Sequence, residues 1–491
     1  MKFRPLYLLA IVASLSVWFF PYYSPLWLDE TVSYWEINSG LGQIWSRSIS
    51  GLSFPPYFYA LWIMRELFGS REVVLRIPSV LAMLAAVYVL YSIAREFVDQ
   101  DVAFIVCILF CMHKDVAFAA IDVRPYAFAV LTANLAIYAL LVWLRKPGDA
   151  HSLLLGAFCG LIFYFHYLYA VILPAFVTCY FLARGRSLKA DHRQIGVVLA
   201  AFLAVFAPVL PRLLYILTRR NSYSFADPPT LKDLALAFVP TAFLFHKILL
   251  FTVLAALLLA LVYSLLRAWE EESTFTLLCA STLAMVPMVL LFAVSVSTPM
   301  RVFVDRYCLV GVAGVVLLWG FLISLIRPVQ LRLLVPFVLV PYVIFSFWNS
   351  PQAHRHGYTW KYALEYAQFI AQPDNASLVI CSDLPQADFE PMPAGPASES
   401  VLFSPLSYYQ VTVPVVPVPR TLTPDAKRIA TKTLEESLRN NQRFLLLAFR
   451  PSYPTMQWFI DHAVGAFAIK LLADFEGIAV VEFQPLQPAP G

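Results

Sequence analysis

Asp29 and Glu30 stand side by side in the stretch LWLDETVSYW, directly after the first apolar run of the chain. A carboxylate at a water–lipid boundary can take a proton from a hydroxyl when its neighbours keep it ionised. Asp29 could instead cap the helix that follows. It lacks the capping-box partner for that role, because Val32 occupies the third position on, although Asp is a good cap without the box.

A set of arginines forms the second chemical signal. Arg71 and Arg76 flank the start of one apolar run, Arg124 precedes Pro125 at the start of another, and Arg306 opens a third. Helix N-termini carry the positive pole of the macrodipole, where a cation is disfavoured by about 0.3–1 kcal/mol and an anion favoured. Arginines at such ends are economically explained by an anion, and a phosphate suits them best. Pairing with Asp29, Glu30, Glu72, Asp122 or Asp305, or snorkelling to lipid phosphates, would also account for any one of them. Asp122 lies two residues before Arg124 in DVRPYAFA, where it can orient that arginine, bind a hydroxyl or cap the helix opened by Pro125. His166, in FHYLY, sits at the turn between two short apolar runs; a lone histidine is more often a satisfied structural group than an acid or ligand. His113, Lys114 and Asp115 lie at a comparable position.

The elements that must hold these residues are membrane helices. The chain has 491 residues, 60% hydrophobic and 13% charged, with mean hydropathy +0.71, too apolar for an ordinary soluble enzyme. The net charge of +4 is small and scattered, so no nucleic-acid partner is expected. Six of the seven cysteines fall in apolar segments, leaving only Cys381 in a polar one, so neither a disulfide framework nor a zinc cluster follows. Runs long enough to span lie near 5–23, 73–95, 102–118, 125–144, 151–165, 167–184, 195–217, 246–266, 274–296, 307–326 and 332–348, about eleven in all. The first has no small-residue cleavage site at its exit, where Trp18, Phe19, Phe20 and Pro21 stand, and reads as a retained span.

Orientation follows from Lys and Arg in the short loops. Lys2, Arg4, Arg95, Arg145, Lys146, the group from Arg184 to Arg193, Arg267, Arg327 and Arg332 share one side if the N-terminus is cytoplasmic. The four arginines above then break the trend on the outer side. Pro56–Phe68 is too short to span and reads as an interfacial helix, with Trp62 at headgroup level, in a first outer loop running from 24 to 72. Residues 1–348 thus form the membrane domain. Dense proline and polar residues make 349–491 a soluble outer domain. Helices are expected near 358–371, 424–440 and 454–470, and strands near 377–381, 409–418, 443–449 and 478–484. That suggests a small α/β layer with no nucleophile elbow, phosphate loop or metal spacing, and hence an acceptor-docking or stabilising cap.

A first outer loop opening with DE, then PP before an aromatic-rich interfacial helix, RIPS entering the next span, RPYA entering the fourth, HY in a short hairpin and RY entering a late span together resemble the GT-C glycosyltransferase superfamily. The nearest group would be the protein O-mannosyltransferases, lipid A aminoarabinose transferases and lipopolysaccharide galacturonosyltransferases. The resemblance covers roughly residues 1–350 and implies a GT-C-like polytopic α-helical fold. It also implies a polyprenyl-phosphate sugar donor, action on the outer face of a membrane, and Asp29 as catalytic base with Glu30 beside it. It assigns the donor phosphate to some of Arg71, Arg76, Arg124 and Arg306, and substrate contacts to Asp122, Tyr126, His166 and Tyr307 in the same motifs. Many relatives carry His or Lys before the PP pair, where this chain has Phe54, so a phosphate or metal contact from that position is lost.

The expected reaction is inverting transfer of a monosaccharide to a hydroxyl of an envelope glycan, lipid A, another lipopolysaccharide component or a protein. Its setting would be the bacterial inner membrane, with the C-terminal domain periplasmic. No cofactor is certain; Asp29 and Glu30 beside Asp122 could hold a divalent cation, but no ligand spacing demands one. The rival class is a transporter or lipid flippase, which places ionisable residues near the bilayer midplane rather than at one rim. An oligosaccharyltransferase would carry a WWD signature in the outer domain, and none is present.

Overall fold

The computed structural model describes residues 4–50, 53–185, 190–220, 226–239, 271–326, 329–350, 359–388, 392–393 and 395–486. The chain divides into two compact units, one made of Met1–Tyr23 with Phe54–His354 and the other of Ser24–Ser53 with Arg355–Gly491. The outer loop expected to belong wholly to the membrane domain is therefore split. Its first half folds with the C-terminal residues, and its second half, the helix Pro55–Phe68, with the membrane helices.

Among the described residues of the first unit, eight helices are long and apolar enough to cross a membrane, and a bent pair makes a ninth. The bent pair is a correction. The run expected as one span near 102–118 breaks into Gln100–Cys111 and Lys114–Ala120, bent by 71°. At the break Met112 closes the first helix, and His113 opens the second, with its Nδ1 accepting from the Asp115 N–H at 3.3 Å. The helix Asp149–Phe165, at 17 residues, is shorter than the spans around it, and the expected span 246–266 lies outside the described residues.

Lipid gives helices no hydrophobic reason to associate, so close backbone approach and polar contacts hold them together. A Cβ added to Gly156 would lie 2.2 Å from the Val198 carbonyl oxygen of the neighbouring helix His192–Phe206, and one on Gly314 would lie 2.3 Å from the Leu283 carbonyl carbon. Asn134 donates to the Ala86 carbonyl at 3.1 Å, the Trp143 indole to Ser152 Oγ at 2.8 Å and the Trp18 indole to the Cys111 carbonyl at 2.8 Å.

The second unit carries a five-stranded sheet: β1 Ser377–Cys381, β2 Val415–Val418, β3 Phe444–Phe449, β4 Phe467–Phe475 and β5 Ile478–Pro485. Their order is β2-β1-β3-β5-β4, with β1 parallel to β2 and β3, and β5 antiparallel to β3 and β4. Alternate residues of the central strands serve two cores, as expected for strands buried on both faces. Leu378, Ile380, Leu445 and Leu447 pack with Trp360, Leu364 and Leu402, together with Val32 and Trp35 of the helix Leu28–Asn38. Val379, Cys381, Leu446 and Ala448 pack with Ala426, Ala430 and Phe459 on the other face.

Two expectations for this unit need correcting. The helix expected to run to 470 stops at Ala463, and Phe467–Phe475 is a strand. The string FAIKLLADF reads as helix by propensity, but a two-residue turn at Glu476 and Gly477, both at positive φ, folds it back onto β5. Asp474 Oδ1 accepts from the Gly477 N–H at 2.7 Å and fixes that turn. The strand expected over 409–418 shortens to β2, preceded by the short helix Ser404–Tyr408.

Candidate functional site

Each unit gathers part of the predicted constellation. In the membrane unit the centre is His166, which breaks the chain between Asp149–Phe165 and the 3-10 turn Tyr167–Ile172. Tyrosine rings surround it, with centroids at 5.4 Å for Tyr126, 5.8 Å for Tyr167, 5.2 Å for Tyr169 and 4.9 Å for Tyr307. Tyr126 is the first residue of the helix Tyr126–Arg145, two residues after Arg124, and Tyr307 lies in the first turn of Asp305–Ser324, next to Arg306. The Tyr169 hydroxyl donates to the Arg306 carbonyl at 3.0 Å, and the Arg306 guanidinium lies 5.5 Å from the Tyr307 ring centroid. The N-terminal ends of two membrane helices are thus tied to one histidine by aromatic contacts. Tyr167 and Tyr169 were not singled out in the sequence; their spacing within FHYLY was the available signal.

The remaining candidates of this unit lie around the start of the helix Glu72–Phe97. Arg76 is fully buried and donates to the Tyr22 carbonyl, while the Tyr22 hydroxyl donates to the Val73 carbonyl at 2.7 Å. This backbone contact gives Arg76 a structural task not foreseen in its arginine pattern. Ser79 donates to the Asp122 carbonyl at 2.6 Å, joining this helix to the segment that carries Asp122 and Arg124. Asp122 is fully buried, whereas Arg71 is exposed at the N-cap of Glu72–Phe97. Lys114 pairs with Asp305 and, at 3.2 Å, with Asp115, so Asp305 is engaged by that lysine next to Arg306.

In the second unit Asp29 lies in the first turn of Leu28–Asn38, half-buried, two positions past the cap rather than at it. The cap position is Trp27, whose backbone N–H donates to Glu30 Oε2 at 3.2 Å. Glu30 is fully buried, and this contact makes it the capping-box acid of a helix that starts two positions earlier than a cap at Asp29 would place it. The C-terminal fold grips the segment on both sides of the two acids. The Leu26 N–H donates to the Tyr409 hydroxyl at 2.7 Å and that hydroxyl donates to the Leu26 carbonyl at 3.1 Å. Thr31 Oγ1 and Ser404 Oγ are 3.0 Å apart, the Trp35 indole donates to the Glu399 carbonyl at 2.9 Å, and Tyr34 packs edge-on against Tyr408.

A further acid, carried by no motif in the sequence, lies within electrostatic reach of Asp29. Asp383 follows β1 and is 7% exposed, with the Trp360 indole N–H donating to its Oδ2 at 3.4 Å. Burial pushes its carboxyl up to about 7; the negative charge of Asp29 acts in the same direction, and Trp360 and Arg420 oppose it. Among the described residues no three His, Cys, Asp or Glu side chains come together as ligands for an ion.

Comparison with known proteins adds the context for this geometry. Residues 54–211 match the family model described as dolichyl-phosphate-mannose-protein mannosyltransferase. The chain matches no curated protein sequence. In fold it is similar to ArnT of Cupriavidus metallidurans bound to undecaprenyl phosphate, at 12% identity and TM-score 0.59, over 97% of each chain. It is also similar to the oligosaccharyltransferase AglB of Archaeoglobus fulgidus in complex with an inhibitory peptide and a dolichol-phosphate, at 11% identity and TM-score 0.52, over 99% of this chain and 75% of that one. At these identities the likeness is one of fold, and it extends through both units. The family model thus lies on the membrane helices within residues 54–211, and the architecture along the whole chain is like that of ArnT and AglB.

Proposed function

We propose that this integral membrane protein transfers a monosaccharide from a polyprenyl-phosphate donor to a hydroxyl of an envelope glycan, lipid or protein, on the outer face of a bacterial inner membrane. The observation that carries the reading is the cluster around His166, in which tyrosines and Arg306 meet where membrane helices begin. Guanidinium groups and helix N-termini favour a phosphate, and aromatic rings offer faces for a lipid-linked sugar. The ligands of the two structural neighbours, undecaprenyl phosphate and dolichol-phosphate, support a donor of that class. The bias of Lys and Arg among the short loops supports a cytoplasmic N-terminus and an outer C-terminal unit.

In this reading the acceptor oxygen attacks the anomeric carbon as the bond from that carbon to the phosphate oxygen breaks. Asp29 takes the acceptor proton, and polyprenyl phosphate leaves with the bonding electron pair, inverting the anomeric centre. A phosphate is a weak base and needs no general acid. What it requires is compensation of the charge gathering on its oxygens, which Arg124, Arg306 and helix ends supply in a low-dielectric setting. Glu30 serves by capping Leu28–Asn38 and so fixing the turn on which Asp29 sits.

The test is mass spectrometry of envelope lipids, glycans and proteins from cells expressing the parent chain or Asp29→Asn. A sugar mass present in the first and absent from the second identifies donor and acceptor together. Identical profiles, with both proteins folded and inserted, would overturn the assignment.

A further inference from the structure

The carboxyl end of β1 is a special place in this sheet. The connection from β1 to β2 packs on one face, through Leu402, Phe403 and Leu406, whereas the helix Pro424–Asn440 that leads from β2 to β3 packs on the other. Where successive connections leave an open sheet on opposite faces, a crevice forms beyond the carboxyl ends of the strands, and ligands are bound there. Here that position holds a cavity with room for little more than a water-sized group, lined by Leu28, Trp360, Asp383, Leu402, Phe403 and Leu406. Leu28 immediately precedes Asp29. The charged side chains acting on Asp383 are Asp29 and Arg420, from the first turn of Leu28–Asn38 and from the segment after β2.

Burying a carboxyl costs free energy unless hydrogen bonds replace its water. Asp383 receives one long bond from Trp360, which is weak compensation for a buried carboxyl in a wall that is otherwise apolar but for Ser382, whose hydroxyl donates to the Leu402 carbonyl. Its placement within electrostatic reach of a second acid, in a hydroxyl-sized hollow at a ligand-binding position, gives it a task beyond packing.

We propose that this cavity is an acceptor subsite, in which Asp383 hydrogen-bonds a hydroxyl neighbouring the one that Asp29 deprotonates, and that the acceptor is therefore a polyhydroxylated ring, a glycan or glycolipid, rather than an isolated protein serine or threonine. The inference rests on the transferase reading above. The cavity has room for one hydroxyl of such a ring, for whose oxygen the carboxyl discriminates, and the remainder of the ring stays outside it. Near neutral pH a carboxyl titrating at about 7 can both give and accept a hydrogen bond.

Three full-length variants in native membranes test it, with the mass-identified product as readout, undecaprenyl phosphate binding as a check on the membrane unit and hydrogen exchange of the β1 amides as a check on the sheet. Asp383→Asn keeps a donor and an acceptor in the cavity and is expected to retain most transfer. Asp383→Leu should reduce transfer by at least about tenfold with both checks unchanged, and Asp29→Asn should abolish it. Fragmentation of the product should place the new sugar on a ring carbon adjacent to another hydroxyl-bearing carbon. Parental transfer by Asp383→Leu, or a sugar on a serine or threonine side chain, overturns the subsite while leaving the transferase reading intact. No product difference between the parent and Asp29→Asn overturns both.

Discussion

Replacing Asp383 by asparagine should free the C-terminal sheet from a pH dependence that the parent chain carries. The carboxyl is 7% exposed and raised from 3.8 to about 7, by burial first and by Asp29 after it. A carboxyl raised in this way holds its proton in the folded state at pH values where the unfolded chain has already lost it. Its contribution to stability is therefore largest below the unfolded value, falls as pH rises toward the folded one, and is flat above it. Each pH unit well below the folded value is worth about 1.4 kcal/mol, and the slope flattens as the group titrates near 7, so between pH 5 and pH 7 the parent should lose about 2 kcal/mol through this group, and the asparagine variant none of it. The loss is measurable as the opening free energy of the β1 amides, Ser377–Cys381, by hydrogen exchange on full-length protein, corrected for intrinsic rates and sampled from pH 5 to pH 8. If the parent-minus-variant difference stays constant across that range, Asp383 is not held neutral by its surroundings and the account of its burial is wrong.

Asp29→Asn should lower transfer by about 10²- to 10⁴-fold, the usual contribution of a general base, while undecaprenyl phosphate binding is unchanged; product mass and a binding assay separate the two. Arg306→Ala should weaken undecaprenyl phosphate binding by about 10- to 100-fold, the loss of one charge-assisted hydrogen bond, and Arg306→Lys should restore part of it. Tyr409→Phe removes both hydrogen bonds to Leu26 and should speed exchange in the segment around Asp29 by about tenfold or more, with bond worth near 1 kcal/mol each. Gly156→Leu places a side chain where even a Cβ meets the Val198 carbonyl at 2.2 Å; it should cut the yield of monodisperse protein, whereas Gly196→Leu, with nothing within 4 Å of its Cβ, should not.

The sequence made some features plain and hid others for physical reasons. Hydropathy marks Glu72–Phe97, Tyr126–Arg145 and Asp305–Ser324 because long apolar runs have one stable outcome in lipid. It passed over the bend at Met112 and His113, because the apolar run interrupted by His113, Lys114 and Asp115 resumes at Val116, and the His113 ring accepting the Asp115 N–H is visible only in the structure. The strand Phe467–Phe475 was hidden by good helix formers and revealed only by its pairing with β5. His166, Tyr126 and Tyr307 were recognisable from ordered motifs, and the structure adds Tyr167 and Tyr169 to the same cluster. Asp383 carried no motif at all: its significance comes from a tryptophan before β1 and an aspartate near the N-terminus, neither of which lies near it in sequence.

That Ser24–Ser53 folds with Arg355–Gly491 has a genetic consequence. A premature stop codon just after Trp348 would spare every arginine and tyrosine assigned to the lipid-linked substrate, yet it would strip Tyr409, Ser404 and Glu399 from the segment that bears Asp29. Such an allele is expected to yield a chain that inserts into the membrane and still captures the lipid phosphate. In a cell that also makes the intact enzyme, it would compete for substrate and be dominant rather than silent.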